Sequence, residues 1–522
     1  MSSTFAFHPT VNEVVPYSAR YSFPSQATRQ SKRTIKITPK NNATSFASGS
    51  TIRFEFPASG YLNPNNTYMA FNARFNITGG AFVAGSTAAT TGGFEFQQNI
   101  ASIFRRVRVL YGSLVLEDIQ DYNILQRMFT EITPPSGTAD SSSTMLHGIG
   151  THRLAYPQAG AVTRALPYDS YTGRYNYHST GDGQGVFGTA ASEANVGTTP
   201  RRYAMSIGTG LFQQHNLIPL KFMASQLQVE LEIADAVDCC IWTLGTGGSP
   251  TVPTSGQVVV GLPELVSELL EFDSEFDAAV YDILGTGLPI YFQSWHVTTQ
   301  TLQPNLTNQL NIQETARSVR YAIAGILDDN LRTLYTDAHI FMAGLQNSDT
   351  GNSTVARDIN ANAISVNQSL VESFQWRLGG TYYPSQPVPC YANTSAQGGA
   401  AVDSNYSDPP VEAYMELMKV FGNLFADDGT YFTDNWINIF GEARRSTAVT
   451  GGVRARSFII AGNFMSDRGD VISGINAEEQ NDLQLILKFV GTTNATSKTI
   501  KIAVCYDNLI ILGENNNMVL VN

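Results

Sequence analysis

Leu227-Gln228-Val229-Glu230-Leu231-Glu232-Ile233 and Leu483-Gln484-Leu485-Ile486-Leu487-Lys488-Phe489 carry one pattern, an opening Leu-Gln followed by apolar residues at every second position. Side chains alternate across a strand, so each stretch lays one apolar face on a core. A loop and a second apolar run with a short polar break follow each: VVVGLPELVSEL (258–269) in the first case, IAVCYDNLIILG (502–513) in the second. A third echo, Arg105-Arg106-Val107-Arg108 against Arg317-Ser318-Val319-Arg320, keeps the same chain order. The offsets are 256, about 244 and 212 residues, so two copies of one β unit with different insertions are expected.

The same alternation runs through the chain around these stretches. Ile52, Phe54 and Phe56 share a face in a strand ended by Pro57, and Met69, Phe71, Ala73, Phe75 and Ile77 form a longer one. Val107, Val109 and Tyr111 lead into Gly112-Ser113, then Leu114 and Leu116, which reads as a tight hairpin. Helical stripes are few. Ile119, Tyr122, Leu125 and Phe129 share a face in 118–129; Phe276, Ala279, Val280 and Ile283 share one in 274–284, after a cap at Asp273 or Ser274; Val411, Tyr414, Met415 and Met418 share one in 411–421. Long low-period stretches rich in Gly, Ser, Thr, Asn and Tyr read as insertions. The expected fold is all-β: two eight-stranded antiparallel jelly rolls in tandem, with a few short helices and long loop insertions. The expected boundaries are a basic N-terminal arm over 1–50, a first jelly roll over 51–272 with an insertion near 132–200, and a second over 273–522 with an insertion near 345–450. In this scheme Leu227 matches Leu483, and Leu265 matches Leu509.

Composition narrows the function. Only 15% of the 522 residues are charged, against roughly a quarter in a typical soluble protein. Arginines outnumber lysines 24 to 8. Lys is depleted and Arg enriched in protein interfaces, so this balance fits a molecule that hides much of its surface in an assembly. The net charge is −12, yet residues 1–53 carry seven cations against Glu13 alone. A basic arm on an acidic body suggests a nucleic acid or an acidic surface near the arm. The start, MSSTFAFHPT, has neither the basic region nor the apolar stretch of a secretory signal, so export by a signal peptide is not expected. Four cysteines are too few for a disulfide scaffold and are expected to be free thiols in a reducing setting.

Searching for chemistry yields little. No Gly-Lys dipeptide marks a phosphate-binding loop, no His-Glu-x-x-His marks zinc, and no Gly-x-Ser-x-Gly marks a nucleophile elbow. The seven histidines share no ligand spacing with the cysteines, and Cys239-Cys240 are adjacent, which in a strand points them to opposite faces. Asp273, Glu275 and Asp277 lack the glycine of a calcium loop and read as acids at a helix start. No catalytic residue, cofactor or metal is expected. Nine Asn-x-Ser/Thr triplets fit chance in so Asn-, Ser- and Thr-rich a chain.

The run QNIASIFRRVRVLYGSLVLEDIQDYNILQRMF (98–129) resembles the corresponding segment of double jelly-roll major capsid proteins. The strand-and-break segments near 219–233 and 258–272 resemble theirs too, and EFDSEFDAAVYDILGTGLPIYFQSWH (271–296) resembles their entry into the second jelly roll. The nearest group in pattern is the polinton-like viruses and virophages. The resemblance implies a structural protein and no enzyme. It implies a homotrimer whose six jelly rolls make a pseudo-hexagonal capsomer of an icosahedral shell around double-stranded DNA. It implies contacts with neighbouring capsomers, penton and minor capsid proteins, residence in the virion, and assembly in the host cytoplasm or nucleus. It leaves open whether a membrane lies inside. Under it, the insertions face outward, with Tyr168, Tyr171, Tyr175 and Tyr177 as candidate anchors between subunits. The arm runs along the inner face, with Arg20, Arg29, Lys32, Arg33 and Lys36 as candidates for contact with neighbours or, non-specifically, with packaged DNA. Two other classes stay open: a β-sandwich fibre or receptor-binding protein, marked by an elongated particle without a lattice, and a carbohydrate-active enzyme, marked by a carboxylate-lined aromatic cleft.

Overall fold

The computed structural model describes residues 30–78, 93–96, 100–132, 168–169, 174–175, 201–235, 238, 240–243, 255–303, 306–327, 371–390, 411–421, 459–465, 474–478, 483–489, 498–513 and 518–521. Within them the first half contributes β1 (Gln30–Ile37), β2 (Thr51–Glu55), β3 (Tyr61–Thr78), β4 (Phe104–Tyr111), β5 (Leu114–Ile119), β6 (Arg201–Ser206), β7 (Leu227–Ile233) and β8 (Ser255–Phe272). The second contributes β9 (Leu288–Leu302), β10 (Thr307–Ile312), β11 (Val319–Leu327), β12 (Val371–Leu378), β13 (Thr381–Pro389), β14 (Ile459–Asn463), β15 (Leu483–Phe489) and β16 (Lys498–Leu512). The sheets run β1-β8-β3-β6 and β2-β7-β4-β5 in the first half, β9-β16-β11-β14 and β10-β15-β12-β13 in the second. With each set numbered one to eight, both halves read 1-8-3-6 over 2-7-4-5, all antiparallel. That is the jelly-roll order, present twice. Short strands Ser45–Ala47 and Met518–Val521 add to β8 and β16.

The duplication extends to single rungs. Leu227 opens β7 opposite Tyr111, the last residue of β4, and Leu483 opens β15 opposite Leu378, the last residue of β12. Each partner strand then turns through two residues, Gly112-Ser113 or Gly379-Gly380, and the first glycine has φ of 58° or 60°. Only glycine takes that conformation readily, which is why both hairpins begin on one. Leu265 and Leu509 likewise fall on the equivalent strands β8 and β16. The arginine echo behaves differently. Arg105 to Arg108 lie on β4 and Val319 opens β11, which are fourth and third strands, so those segments are not equivalent.

Both cores form where the two sheets face each other. Ile52, Phe54, Val107, Val109, Val229 and Leu231 of one sheet meet Met69, Phe71, Val258 and Val260 of the other, all buried. Phe71 and Phe104 join these layers edge to face at 5.7 Å. In the second half Trp376 packs on Phe464 at 5.9 Å, above Gly462. Among the described residues three helices of eleven residues or more flank the sandwiches, α1 (Tyr122–Ile132), α2 (Ser274–Thr286) and α3 (Val411–Phe421), beside a single turn at Gly210–Gln213. Asp273 caps α2, its Oδ1 accepting from the Phe276 N–H at 3.1 Å.

Three expectations change. The first strand lies inside the supposed arm: QSKRTIKI pairs with β8 along its whole length, and Ile35 and Ile37 pack on the core, so the first jelly roll begins by residue 30. Residues 345–450 are no single insertion, because β12 and β13 in the middle complete the second sandwich. The prolines at 384, 387 and 389 disguise β13, which tolerates them because it is an edge strand. Finally, α3 buries Ala413, Leu417 and Val420, leaving Met415 exposed, and α1 begins at Tyr122 with Ile119 still in β5.

A Cβ built on Gly462 lies 2.6 Å from the Trp376 ring, whose stiffness leaves no easy relief. Gly462→Ala should destabilise the fold by about 1–3 kcal/mol, the usual range for overpacking, readable as a fall in the chemical-denaturation midpoint. A neutral result would contradict the packing of the second core.

Candidate functional site

The place where the two jelly rolls meet is the most elaborated site in the described residues. It is built on Glu117, in the sequence Leu114-Val115-Leu116-Glu117-Asp118-Ile119. Strict alternation would send Glu117 outward with Val115. A bulge intervenes: Val115 faces Leu110 and Glu117 faces Val109, so Leu116 is extra and the parity flips. Glu117 is thereby turned inward and is fully buried. The Gly210 and Leu211 N–H groups donate to its two oxygens at 2.9 Å each, and the Ser294 hydroxyl of β9 donates at 2.9 Å. The first jelly roll thus supplies the acid and the second supplies part of its solvation. Gly210 allows this approach, since a Cβ there would stand 1.5 Å from the Gln293 carbonyl oxygen.

Further contacts surround this centre. Lys501 of β16 donates to Asp121 at 2.7 Å and to Thr299 at 2.6 Å, tying the end of β5 to the second sheet. Phe129 of α1 stands edge to face on Trp295 at 5.0 Å, and Trp295 on Tyr321 at 5.3 Å. A cleft of about 560 Å³ opens beside them, lined by aromatic and glutamine side chains including Phe129, Gln213, Tyr291 and Trp295. Its lining holds no carboxylate. Beneath the first jelly roll, Asp277 of α2 accepts from the Tyr61 hydroxyl at 2.8 Å and pairs with Lys221. Burial opposes ionisation of Asp277, but Lys221 and Tyr61 outweigh it and hold the carboxyl below its ordinary pKa.

Glu117 behaves the other way. Burial pushes its pKa up to about 7, and hydrogen bonds from Leu211, Ser294 and Gly210 only partly offset that rise. Cys390 and Cys505 are buried free thiols. Among the described residues, no group of three His, Cys, Asp or Glu could hold a metal, and no helix is long and apolar enough to cross a membrane. The acids at 273, 275 and 277 serve as the cap and first turn of α2.

The basic candidates divide. Arg20 and Arg29 lie outside the described residues. Lys32, Arg33 and Lys36 sit on β1, paired to Glu268 at 2.7 Å, Glu271 at 3.2 Å and Glu264 at 3.4 Å of the neighbouring strand. All three are therefore exposed cations paired along the edge of a sheet, on a strand and not on a free-standing arm. Glu268 shows the effect: burial alone would raise its pKa, yet Lys32, Asn66 and Asn63 bring it below the ordinary value. Tyr168 and Tyr175 pair in a short two-stranded ladder, while Tyr171 and Tyr177 lie outside the described residues. Sequence reasoning missed Glu117, Asp121, Ser294 and Lys501. The one available signal was an acid pair, Glu117-Asp118, interrupting an apolar run.

With this geometry in hand, the fold is that of the double jelly-roll major capsid proteins. A chain of the Sputnik virophage structure by cryo-EM matches with a TM-score of 0.54 at 11% identity, covering 100% of this chain and 93% of that one. The Faustovirus major capsid protein matches at 0.52 and 10%, covering 99% and 94%. PBCV-1 VP54, fitted into a reconstruction of the virophage Sputnik, matches at 0.53 and 9%, covering 96% and 99%. No family model matches the sequence, and no curated protein matches it.

Glu117 sets a pH dependence with a definite sign. An acid whose folded pKa is raised stabilises the fold most while protonated, so this contribution is full below about 4.5 and is lost as pH rises through about 7. The magnitude is on the order of 3 kcal/mol by linkage. Melting curves from pH 5 to 8 should show Glu117→Gln losing less stability with rising pH than the parent. Parallel curves for the two proteins would place the ionisation elsewhere.

Proposed function

We propose that this chain is the major capsid protein of an icosahedral double-stranded DNA virus, three copies closing into a pseudo-hexagonal capsomer. The observation that carries the reading is the tandem of two jelly rolls with one strand order, locked at a fixed joint, over nearly the full length of both this chain and capsid proteins of the same fold. Two like units per chain give six per trimer, the shape that tiles a shell. The sparse charge supports it, since fewer ions need desolvation at each contact. The protein resides in the virion after assembly in the host cytoplasm or nucleus, and its partners are itself, neighbouring capsomers, and penton and minor proteins. The segments near 132–200 and on either side of β12 and β13 build the outer surface, with the tyrosines at 168, 171, 175 and 177 as contacts. Residues 1–29, with Arg20 and Arg29, reach neighbouring capsomers, and DNA where it lies close.

Sedimentation of the purified protein at micromolar concentration should give a trimer, and negative-stain images should show hexagonal outlines. A well-folded monomer would contradict the reading. Deleting residues 2–29 should leave trimers intact, because β1 remains, and abolish shell formation. Normal DNA-filled shells from the deleted protein would remove the arm's role.

A further inference from the structure

We propose that the cleft beside the joint is a binding site for a neutral pyranose sugar, free or at the end of a glycan chain, which it holds without cleaving. The proposal goes beyond the capsomer reading and does not depend on it.

Both jelly rolls build the cleft. Phe129 of α1 and Gln213 of the turn Gly210–Gln213 come from the first, and Tyr291, Gln293 and Trp295 of β9 come from the second. Its walls are held in place before any ligand arrives. The Gly210 main chain lies so close to the Gln293 carbonyl that no Cβ fits between them, and Trp295 braces Phe129 and Tyr321 edge to face. A site formed in advance loses little freedom on binding. Its volume, about 560 Å³, falls within the range of roughly 300–1,000 Å³ typical of small-molecule sites.

The lining selects the class of ligand. Among the described residues it holds no acidic or basic side chain, so a charged ligand would lose its water and gain no counter-ion. A purely apolar ligand would strip water from the amides of Gln213 and Gln293, both exposed, and return no hydrogen bond. A pyranose meets both demands. Each amide carries donors and an acceptor, which suits ring hydroxyls that also do both. The C–H face of the sugar is apolar and covers an aromatic ring, and Tyr291, 36% exposed, offers one.

The same lining argues against turnover. Glycoside hydrolysis generally needs two carboxyl groups flanking the scissile bond. Glu117 is hydrogen-bonded to Gly210 at 2.9 Å, but it is fully buried and no part of the lining. The bound sugar should leave unchanged. Because Gln213 and Gln293 belong to different jelly rolls, a sugar that spans them should also stabilise their relative placement, and the melting temperature should rise with sugar concentration.

The test is saturation-transfer NMR on the purified full-length protein. The probes are glucose, galactose, mannose and N-acetylglucosamine, each free and as its methyl glycoside, with N-acetylneuraminic acid as a charged comparison. At least one neutral sugar should receive saturation most strongly at the C–H protons of one ring face, with a Kd on the order of 1 mM. Binding of the glycoside marks a glycan end as the ligand, and binding of the free sugar alone marks a soluble one. Tyr291→Ala and Gln293→Ala, at exposed positions, should each weaken binding by about tenfold while the sugar-free melting temperature stays at the parent's value. Where either lowers that temperature, Gln213→Ala in the first jelly roll takes its place. Absence of saturation for every neutral sugar well above that concentration, binding that survives the substitutions, or equal binding of the charged sugar overturns the proposal and leaves the capsomer reading standing. Release of methanol from a bound glycoside overturns the claim that the site does not cleave. A monomer that binds the sugar overturns the capsomer reading alone.

Discussion

A buried acid side chain holds the two halves of this molecule in register. Glu117 accepts from the Gly210 and Leu211 N–H groups of its own jelly roll and from Ser294 of the other. An isolated charge in such a place would be strongly disfavoured, so the donors must stay where they are, and the second jelly roll is one of them. The close approach of Gly210 to the Gln293 carbonyl, the Asp121–Lys501 pair and the Phe129–Trp295 contact all depend on the same relative placement. Each sandwich has its own core. What ties them together is this joint, where Glu117 meets Ser294 and Asp121 meets Lys501.

Much of the fold was legible because alternation is a local property. The two Leu-Gln stretches, 256 residues apart, occupy equivalent strands, down to the rung beside the hairpin glycine. The hairpin at Gly112 was readable for the same reason. What escaped had physical causes. β1 carries Lys32, Arg33 and Lys36 in eight residues, and its acidic partners sit more than 220 residues away, so it looked like part of a basic arm. β13 has a proline at every second or third place, and β12 is bulged between Val371 and Ser373. The arginine echo misled because charge pairs with whatever lies on the neighbouring strand and says nothing about strand order.

The functional positions were less legible than the fold. A bulge decides which way Glu117 points, and the partner that makes it matter is 177 residues further along the chain. Likewise Glu117 and Tyr383, each in the third pair of its hairpin counted from the turn, have no chemical likeness, and only the ladder shows that they are counterparts. Duplication fixed the scaffold and left the contact surfaces free to diverge. In the first jelly roll Glu117 links the two halves of the chain, whereas in the second Tyr383 stacks on Phe464 within its own sandwich.

The most direct measurement is a cryo-EM map of the purified protein at a resolution that traces strands. The account predicts a ring of six sandwiches from three chains. Within every chain the two sandwiches should meet through the β5–β9 joint. A particle in which the sandwiches meet face to face about a two-fold axis, or in which β5 and β9 stand apart, would contradict it.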